Sequence, residues 1–342
     1  MFMEKMHSRA RFVVGAIALF LLVPYLSHVA GAVPGSPIVL TDEPVAPIPL
    51  ELRLNPEKIV LGGELFHERA LSSDGSMSCA DCHRLDKGGD DGLARSKTSA
   101  GVLEDFNTPT VFNSFFNFRL TWPGTYRSLQ NYIEAKLTSI HLGNPDWLRV
   151  ASKLARQEKY SQAFRHIYGS DINQQSVSDA LSEFVRSLYT PNAPFDRFLR
   201  GDKQALTAEE KQGYKAFKHY GCAACHQGVN IGGNMFQKLG IFGSYYEKGK
   251  VAQSDLGRYA ITGDERDRYV FRVPSLRNVA LTAPYFHNGS VGNLDKAVHI
   301  MASTELGRNI PEQDIQLIIK FLHTLTGIYH GKVLTEEQGV QP

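Results

Sequence analysis

The chain has 342 residues and an almost balanced charge: 37 lysines and arginines stand against 35 aspartates and glutamates, a formal net charge of +2 at pH 7. This balance excludes the large basic surface of a nucleic-acid-binding protein and provides no polybasic membrane patch. The length is sufficient for two domains that each bury a sizeable core.

The chain begins with the layout of a secretory signal. Basic residues precede an apolar run over residues 12–26, and Ala30, Gly31 and Ala32 form a small-residue cleavage motif. Because the run is short for a membrane span, we predict a signal peptide over residues 1–32 that is cleaved near Ala32. An uncleaved membrane anchor is the alternative.

Proline marks two breaks further along the chain. Residues 33–56 are rich in proline and predict an extended N-terminal arm rather than a core element. A second cluster of breakers at 190–194 is interpreted as the link between two halves. The predicted domains are therefore residues 57–190 and residues 195–330.

Each predicted domain contains one copy of the pentapeptide Cys-x-x-Cys-His, and the two copies use all four cysteines. The pattern is that of c-type haem attachment, in which two thiols bond to the haem vinyl groups and the adjacent histidine ligates iron. A zinc site or a pair of disulfides is the alternative use. The candidate residues are Cys79, Cys82, His83, Cys222, Cys225 and His226. Because such haem is normally attached outside the cytoplasm, we expect a periplasmic protein.

The surroundings of the two motifs repeat. A Gly-x-x-x-Phe pattern precedes each motif, with Gly62 and Phe66 in the first copy and Gly213 and Phe217 in the second. This spacing places both residues on one helix face and permits a close helix crossing. The predicted partner helices, the second of which we expect to stop at Gly327, are Ser178–Leu188 and Pro311–Leu325. The sequence thus predicts an all-α protein with two cytochrome-c-like domains, each carrying one covalent haem.

The sixth ligand of each iron separates electron transfer from catalysis. A haem with two protein ligands transfers electrons, whereas a haem with an open face can bind peroxide. In the second half, Met301 lies where the chain can cross back over the haem, so we predict the ligand pair His226 and Met301. The first half has no methionine after its motif. Either His141, in a loop with turn signals, closes this haem or His83 is its sole protein ligand; we favour the open haem.

These features resemble the bacterial dihaem cytochrome c peroxidase family, which also contains the maturation enzyme MauG. The likeness extends from Leu54 to Gly327. It is most specific in the stretches 71–79, 191–198, 221–228 and 273–289, the last of which reads VPSLRNVALTAPYFHNG. In the family an axial methionine follows this stretch by a fixed interval, which here gives Met301. The maturation enzymes carry a tyrosine there, so the resemblance is closer to the peroxidases.

The resemblance also implies a calcium ion and an electron route. By position, the calcium would be held between the domains by the Asn107 side chain and by the backbone carbonyls of Thr282 and Pro284, and oxygen ligands of this kind suit calcium. Trp122 matches the tryptophan that carries electrons between the haems. Without the resemblance, Asn107 would be interpreted as a turn residue and Trp122 as core packing.

Two departures from the family concern the first haem. Peroxidases that need reductive activation carry a histidine that blocks this haem, and residues 96–101 contain none. The family's distal glutamate aligns near His141, and histidine can take over the movement of the peroxide proton. Glu134 is a second, weaker candidate for that role.

We therefore expect a periplasmic dihaem peroxidase that reduces hydrogen peroxide to water, with electrons entering at the C-terminal haem from a small cytochrome c or cupredoxin. The alternative is a MauG-like enzyme that uses peroxide to oxidise a residue on a partner protein. A third hypothesis, in which His141 closes the first haem, is an electron carrier without peroxidase activity. The expected cofactors are two haem c groups and one calcium ion, and homodimers occur among relatives.

Overall fold

The computed structural model describes residues 43–143, 145–246 and 251–335. The predicted signal peptide and the first part of the arm lie outside these residues. Within them, no helix combines the length and the apolar character that a membrane span requires.

Helices dominate the described part, as the sequence predicts. They are α1 (Pro56–Phe66), α2 (Cys79–Cys82), α3 (Leu129–Leu137), α4 (Trp147–Ala155), α5 (Glu158–Tyr168), α6 (Gln174–Ser187), α7 (Pro194–Leu199), α8 (Ala208–Tyr220), α9 (Tyr259–Thr262), α10 (Leu294–Thr304) and α11 (Glu312–His323). Four short strands, which the sequence does not predict, form two antiparallel pairs: β1 (Phe236–Lys238) with β2 (Val270–Arg272), and β3 (Ile328–Tyr329) with β4 (Lys332–Val333).

The first haem motif is supported by the crossing of α1 and α6. A Cβ atom on Gly62 would lie 2.1 Å from the carbonyl oxygen of Ala180, so the two helices meet where only glycine fits. One turn further along α1, the ring of Phe66 lies 5.2 Å from that of Phe184. The side chain of Asn55 caps α1, and Pro56 occupies its first turn. The predicted pairing of the Gly-x-x-x-Phe helix is confirmed.

The crossing of α8 and α11 repeats this arrangement in the second half. A Cβ atom on Gly213 would lie 2.0 Å from the carbonyl oxygen of Leu317, and the ring of Phe217 lies 5.1 Å from that of Phe321. Thr207, the residue before α8, caps the start of this helix and forms a capping box with Glu210. Around the two crossings the buried apolar residues form two main clusters, one for each half of the chain.

From residue 43, where the described part begins, the arm is extended up to the start of α1, but it packs against the core. Val45 and Ile48 are fully enclosed, and Val45 belongs to the second cluster. An ion pair between Arg277 and Asp196, with both side chains buried, holds this segment: Arg277 donates to the carbonyl of Ala46, and Asp196 accepts from the backbone N–H of Ile48. The arm therefore differs from the expectation because a tertiary ion pair supplies its hydrogen-bond partners.

Buried polar side chains join the two halves. Asn113 donates from Nδ2 to Thr190 Oγ1 over 2.8 Å and accepts from the N–H of Thr190. Asn278 of the second half donates from Nδ2 to Thr190 Oγ1 over 3.2 Å and accepts a hydrogen bond from the N–H of Gly327. The C-terminal strands return to the first half, where the Tyr329 ring lies 5.0 Å from that of Phe112.

All four limits of the two predicted partner helices need correction. Helix α6 begins four residues earlier than expected because Asn173 caps it, and it ends one residue earlier, at Ser187. Helix α11 begins one residue later and ends at His323, so Gly327 does not stop it. Gly327 instead lies against Thr190, whose carbonyl oxygen would be 2.1 Å from an added Cβ.

Gly213→Ala should destabilise the protein, because the new methyl group would force α8 away from α11. We expect the free energy of unfolding to fall by about 1–3 kcal/mol, as measured by urea denaturation. Gly292→Ala is the matched control, since a Cβ at that position meets nothing within 4 Å. Equal stabilities of the two variants would contradict the close crossing.

Candidate haem sites

The second motif follows helix α8 directly. Gly221 ends the helix with a φ of 99°, a conformation that favours glycine, and turns the chain into the motif. The Nδ1 atom of His226 lies 3.4 Å from the carbonyl oxygen of Ile231. Burial lowers the pKa of His226 to about 4. The imidazole is therefore neutral, which is the form that binds a metal.

A cavity of about 480 Å³ lies beside this motif. Cys222, Cys225 and His226 line it from the motif, and Met301 lines it from helix α10. Most of the remaining lining residues are apolar, as is usual for cofactor sites. These residues fit a covalently bound haem, because the thiols can attach it while an imidazole and a thioether are available to the iron.

One cation is buried in the lining of this cavity. Arg272 is 4% exposed and donates from Nε to the carbonyl oxygen of Thr121 over 3.2 Å. Burial lowers its pKa to about 10, and no carboxylate of the described residues forms an ion pair with it. A buried guanidinium without an anion is costly, so a cofactor that carries carboxylates would suit this cavity.

The first motif forms the short helix α2. Ser78 and Asp81 cap it, with the Ser78 N–H donating to Asp81 Oδ2 over 2.7 Å. Nδ1 of His83 lies 3.2 Å from the carbonyl oxygen of Gly89, and burial lowers the pKa of His83. Burial also raises the pKa of the Cys79 thiol to about 12. The motif thus offers a neutral imidazole and a partly buried thiol, which fits a second haem.

Polar side chains gather near the first motif. The Nδ1 atom of His141, in a turn after α3, is hydrogen-bonded to the carboxylate of Glu104. Burial lowers the pKa of Lys136 to about 8, against the opposing influence of Glu104 and Cys82. Burial raises the pKa of Tyr132, and the charges of Cys79 and Glu104 raise it further. The structure therefore brings several titratable groups around this candidate site.

Glu134, the second candidate for proton transfer, makes different contacts. Its carboxylate accepts hydrogen bonds from Ser178 Oγ over 3.1 Å and from Gln130 Nε2 over 3.3 Å. Because Ser178 lies on α6, Glu134 contributes to the packing of α3 against that helix. No hydrogen bond joins it to His141 in the described part of the chain, and its catalytic role stays a prediction.

Trp122 lies between the two halves and lines the cavity beside the second motif. Its indole N–H donates to the carbonyl oxygen of Asn107 over 2.9 Å, and its own carbonyl accepts from the N–H of Arg272. The indole ring lies 6.4 Å from the ring of His287, which is buried and hydrogen-bonded to Asp255. The tryptophan predicted as an electron route is therefore fixed at the junction of the halves.

The three predicted calcium ligands line the same cavity. Asn107 donates from Nδ2 to the carbonyl of Leu93, which leaves Oδ1 as its available oxygen. Within the described residues, no backbone hydrogen bond ends on the carbonyl oxygens of Thr282 or Pro284. These oxygens fit a hard cation. The buried carboxyl of Asp90 lines the cavity as well and brings a negative charge when ionised.

Three residues of these sites were not identified as site residues from the sequence. Glu104 and Asp90 lie in loops without a recognisable motif, so only the tertiary structure shows their neighbours. Arg272 directly precedes the VPSLRN stretch, and that position is the one sequence signal that could have identified it.

Asp90 gives a prediction on pH dependence. Burial and the nearby charge of Asp91 raise its pKa from 3.8 to about 7. A carboxyl whose pKa is raised by folding stabilises the folded state while it is protonated, so this contribution is present below about pH 4 and is lost as the pH rises through about 7. Calcium-free wild-type protein should therefore lose stability over this range relative to Asp90→Asn.

Urea denaturation of both proteins at several pH values measures this difference. Asp171→Asn, which changes an exposed carboxylate, is the control for loss of a charge. Parallel pH profiles for wild type and Asp90→Asn would show that the buried carboxyl does not hold its proton.

Comparison with known proteins gives the family. A model of the di-haem cytochrome c peroxidases matches residues 56–204. The chain is 41% identical over 289 residues to cytochrome c peroxidase Ccp of Escherichia coli, a match that covers 84% of this chain and 62% of that protein. It is 36% identical over 314 residues to cytochrome c551 peroxidase of Nitrosomonas europaea, covering 90% of this chain and 91% of the relative.

A solved structure extends the likeness to the fold. The crystal structure of a MauG-like protein associated with microbial copper homeostasis superimposes with a TM-score of 0.73 at 26% identity, over 85% of this chain and 95% of that one. The matches to these relatives therefore span both halves of this chain, including both haem motifs. The chain belongs to the dihaem cytochrome c peroxidase family and is an oxidoreductase of the peroxidase class.

Proposed function

We propose that this chain reduces hydrogen peroxide to water with two covalently bound haem c groups. One observation carries the proposal: the two motifs have different surroundings. The second shares its cavity with the thioether of Met301, whereas the His141–Glu104 pair lies near the first. A thioether ligand suits electron transfer, and an acid–base group suits chemistry on a bound substrate.

At the first site the chain's contribution is to hold the iron and to move a proton. His83 would hold the iron, and peroxide would react next to His141. When bound, the two haems supply the electron transfer that cleaves the O–O bond. His141 takes a proton at Nε2 from the near oxygen of peroxide and returns it to the far oxygen, which leaves as water.

At the second site the chain holds the iron and conducts electrons. His226 and Met301 would be the two ligands, and a thioether ligand raises the reduction potential. Trp122 links this cavity to the first half through its hydrogen bond to Asn107. In the proposal it is the route by which electrons leave the second site for the first. Two electrons and two protons convert each peroxide into two waters.

Export, electron supply and calcium complete the proposal. We place the chain in the periplasm as two domains, residues 57–190 and 195–330, after removal of residues 1–32. A small cytochrome c or cupredoxin supplies the electrons at the C-terminal haem. A calcium ion on Asn107, Thr282 and Pro284 would brace the loops beside Trp122. In this proposal the protein acts as a monomer or as a homodimer.

A second candidate function is the oxidation of a residue on a partner protein. The 26% identity to a MauG-like protein favours it, as does the lack of a blocking histidine at residues 96–101. Met301 argues against it, because the maturation enzymes carry tyrosine at this position. A peroxide-dependent mass change in a neighbouring protein would identify this activity. An electron carrier, the third candidate, would show no reaction with peroxide.

Trp122→Phe should separate peroxide chemistry from electron delivery. The reaction of the oxidised protein with peroxide should keep its rate, because the change lies outside the first site. Turnover with a reduced small c-type cytochrome should fall at least about tenfold, which corresponds to about 1.4 kcal/mol in the barrier. Stopped-flow absorbance measures the first rate and steady-state donor oxidation the second.

The second tryptophan provides a matched control. Trp147 begins α4 and is partly buried against the first cluster, away from the cavity lining. Trp147→Phe should therefore leave both rates unchanged. Wild-type turnover in Trp122→Phe would remove the electron-route assignment, while a protein inert to peroxide would remove the peroxidase assignment.

A further inference from the structure

His141 has a carboxylate partner that no sequence motif predicts. Its Nδ1 atom is hydrogen-bonded to an oxygen of Glu104, which lies 37 residues earlier in the chain. Both side chains are partly buried, with 32% and 21% of their surfaces exposed. Among the described residues, the Nε2 atom of His141 has no hydrogen-bond partner. One nitrogen is thus engaged by the protein and the other is available to a ligand.

The segment that carries Glu104 is fixed to the turn that carries His141. The N–H of Ser99 donates to the carbonyl oxygen of His141 over 3.1 Å. Within the segment, the N–H of Glu104 donates to the carbonyl of Ser96 over 2.8 Å, and the carbonyl of Glu104 accepts from Arg95. The backbone therefore sets the position of the carboxylate before any substrate arrives.

The pair lies beside the first haem motif. The charge of Glu104 raises the pKa values of Cys82, Tyr132 and Lys136, so its carboxylate is close enough to interact with a motif cysteine and with two side chains of α3. Lys136 is the cation near this carboxylate, and its ammonium lies 5.7 Å from the ring of Tyr132. In the described residues neither Lys136 nor Tyr132 forms a hydrogen bond with Glu104, whereas His141 does.

We propose that Glu104 is a positioning residue that orients His141 for proton transfer from peroxide. This inference rests on the proposed function. The carboxylate accepts the Nδ1–H bond, which leaves the lone pair on Nε2 and fixes the plane of the ring. Nε2 then gains the peroxide proton, the Glu104 charge stabilises the resulting imidazolium, and Nε2 returns the proton to the far oxygen. The Nδ1 proton stays in place, and this step involves no oxidation or reduction.

A double-mutant cycle on the haem-loaded protein tests this assignment. The proteins are wild type, Glu104→Ala, His141→Ala and the double variant. The first readout is the rate of reaction with peroxide. The second is the rate of cyanide binding to the oxidised protein, which is independent of turnover and also requires that a base remove a proton from the incoming ligand. Electron paramagnetic resonance on all four checks that the first haem stays high-spin.

His141→Ala should slow both reactions by roughly 10²–10⁴-fold, the usual contribution of an acid–base group. Glu104→Ala should slow them by roughly 10–100-fold, as loss of a supporting hydrogen bond to a functional histidine does. Because Glu104 acts only through His141, the double variant should match His141→Ala. Glu104→Gln, whose amide oxygen can still accept the Nδ1–H bond, should recover part of the loss. Asp105→Asn, at the neighbouring exposed carboxylate, should match wild type.

Two failures can be distinguished. If wild type reacts with peroxide but Glu104→Ala slows the reaction equally with and without His141, Glu104 only supports the loop and the inference is wrong. If wild type shows two low-spin haems and no reaction, both the inference and the proposed function are wrong.

Discussion

The close crossing of two pairs of helices is the constraint on which the sites depend. At Gly62 and at Gly213 the helices approach so closely that a partner carbonyl oxygen occupies the place of a Cβ atom. Each crossing fixes the helix that leads into a haem motif, and α8 continues into the second motif after a single glycine. Because protein interiors are close-packed, a change at either glycine cannot be absorbed locally. The repeated crossing explains how one chain can build two similar haem sites.

The electrostatics of the two sites differ although their supports are alike. Burial keeps both motif histidines neutral, which prepares them as metal ligands. Beyond that, the cavity beside the second motif is mainly apolar, with the Met301 thioether and the buried Arg272 in its lining. Glu104 and its hydrogen-bonded partner His141 lie near the first motif, and both groups can bind or move protons. The proposed division of labour between electron transfer and peroxide chemistry rests on this difference.

The sequence predicts what is local and misses what is tertiary. Five consecutive residues define a haem motif, and a four-residue spacing defines a helix face, so the motifs and the helix pairs could be predicted. The partnership of Glu104 with His141 could not, because loops bring together residues 37 positions apart. The buried position of the arm could not be predicted either, because Ala46 and Ile48 form hydrogen bonds with the distant ion pair of Arg277 and Asp196. Strands of two or three residues give too little alternation to be recognised.

The central claim is that the first haem is open in the oxidised protein and reacts with peroxide there. Electron paramagnetic resonance of the oxidised, haem-loaded protein, before and after one equivalent of peroxide, tests it most directly. The account predicts one high-spin and one low-spin ferric signal, with loss of the high-spin signal on addition of peroxide. Two low-spin signals that peroxide leaves unchanged would contradict it, because His141 or another group would then close the site.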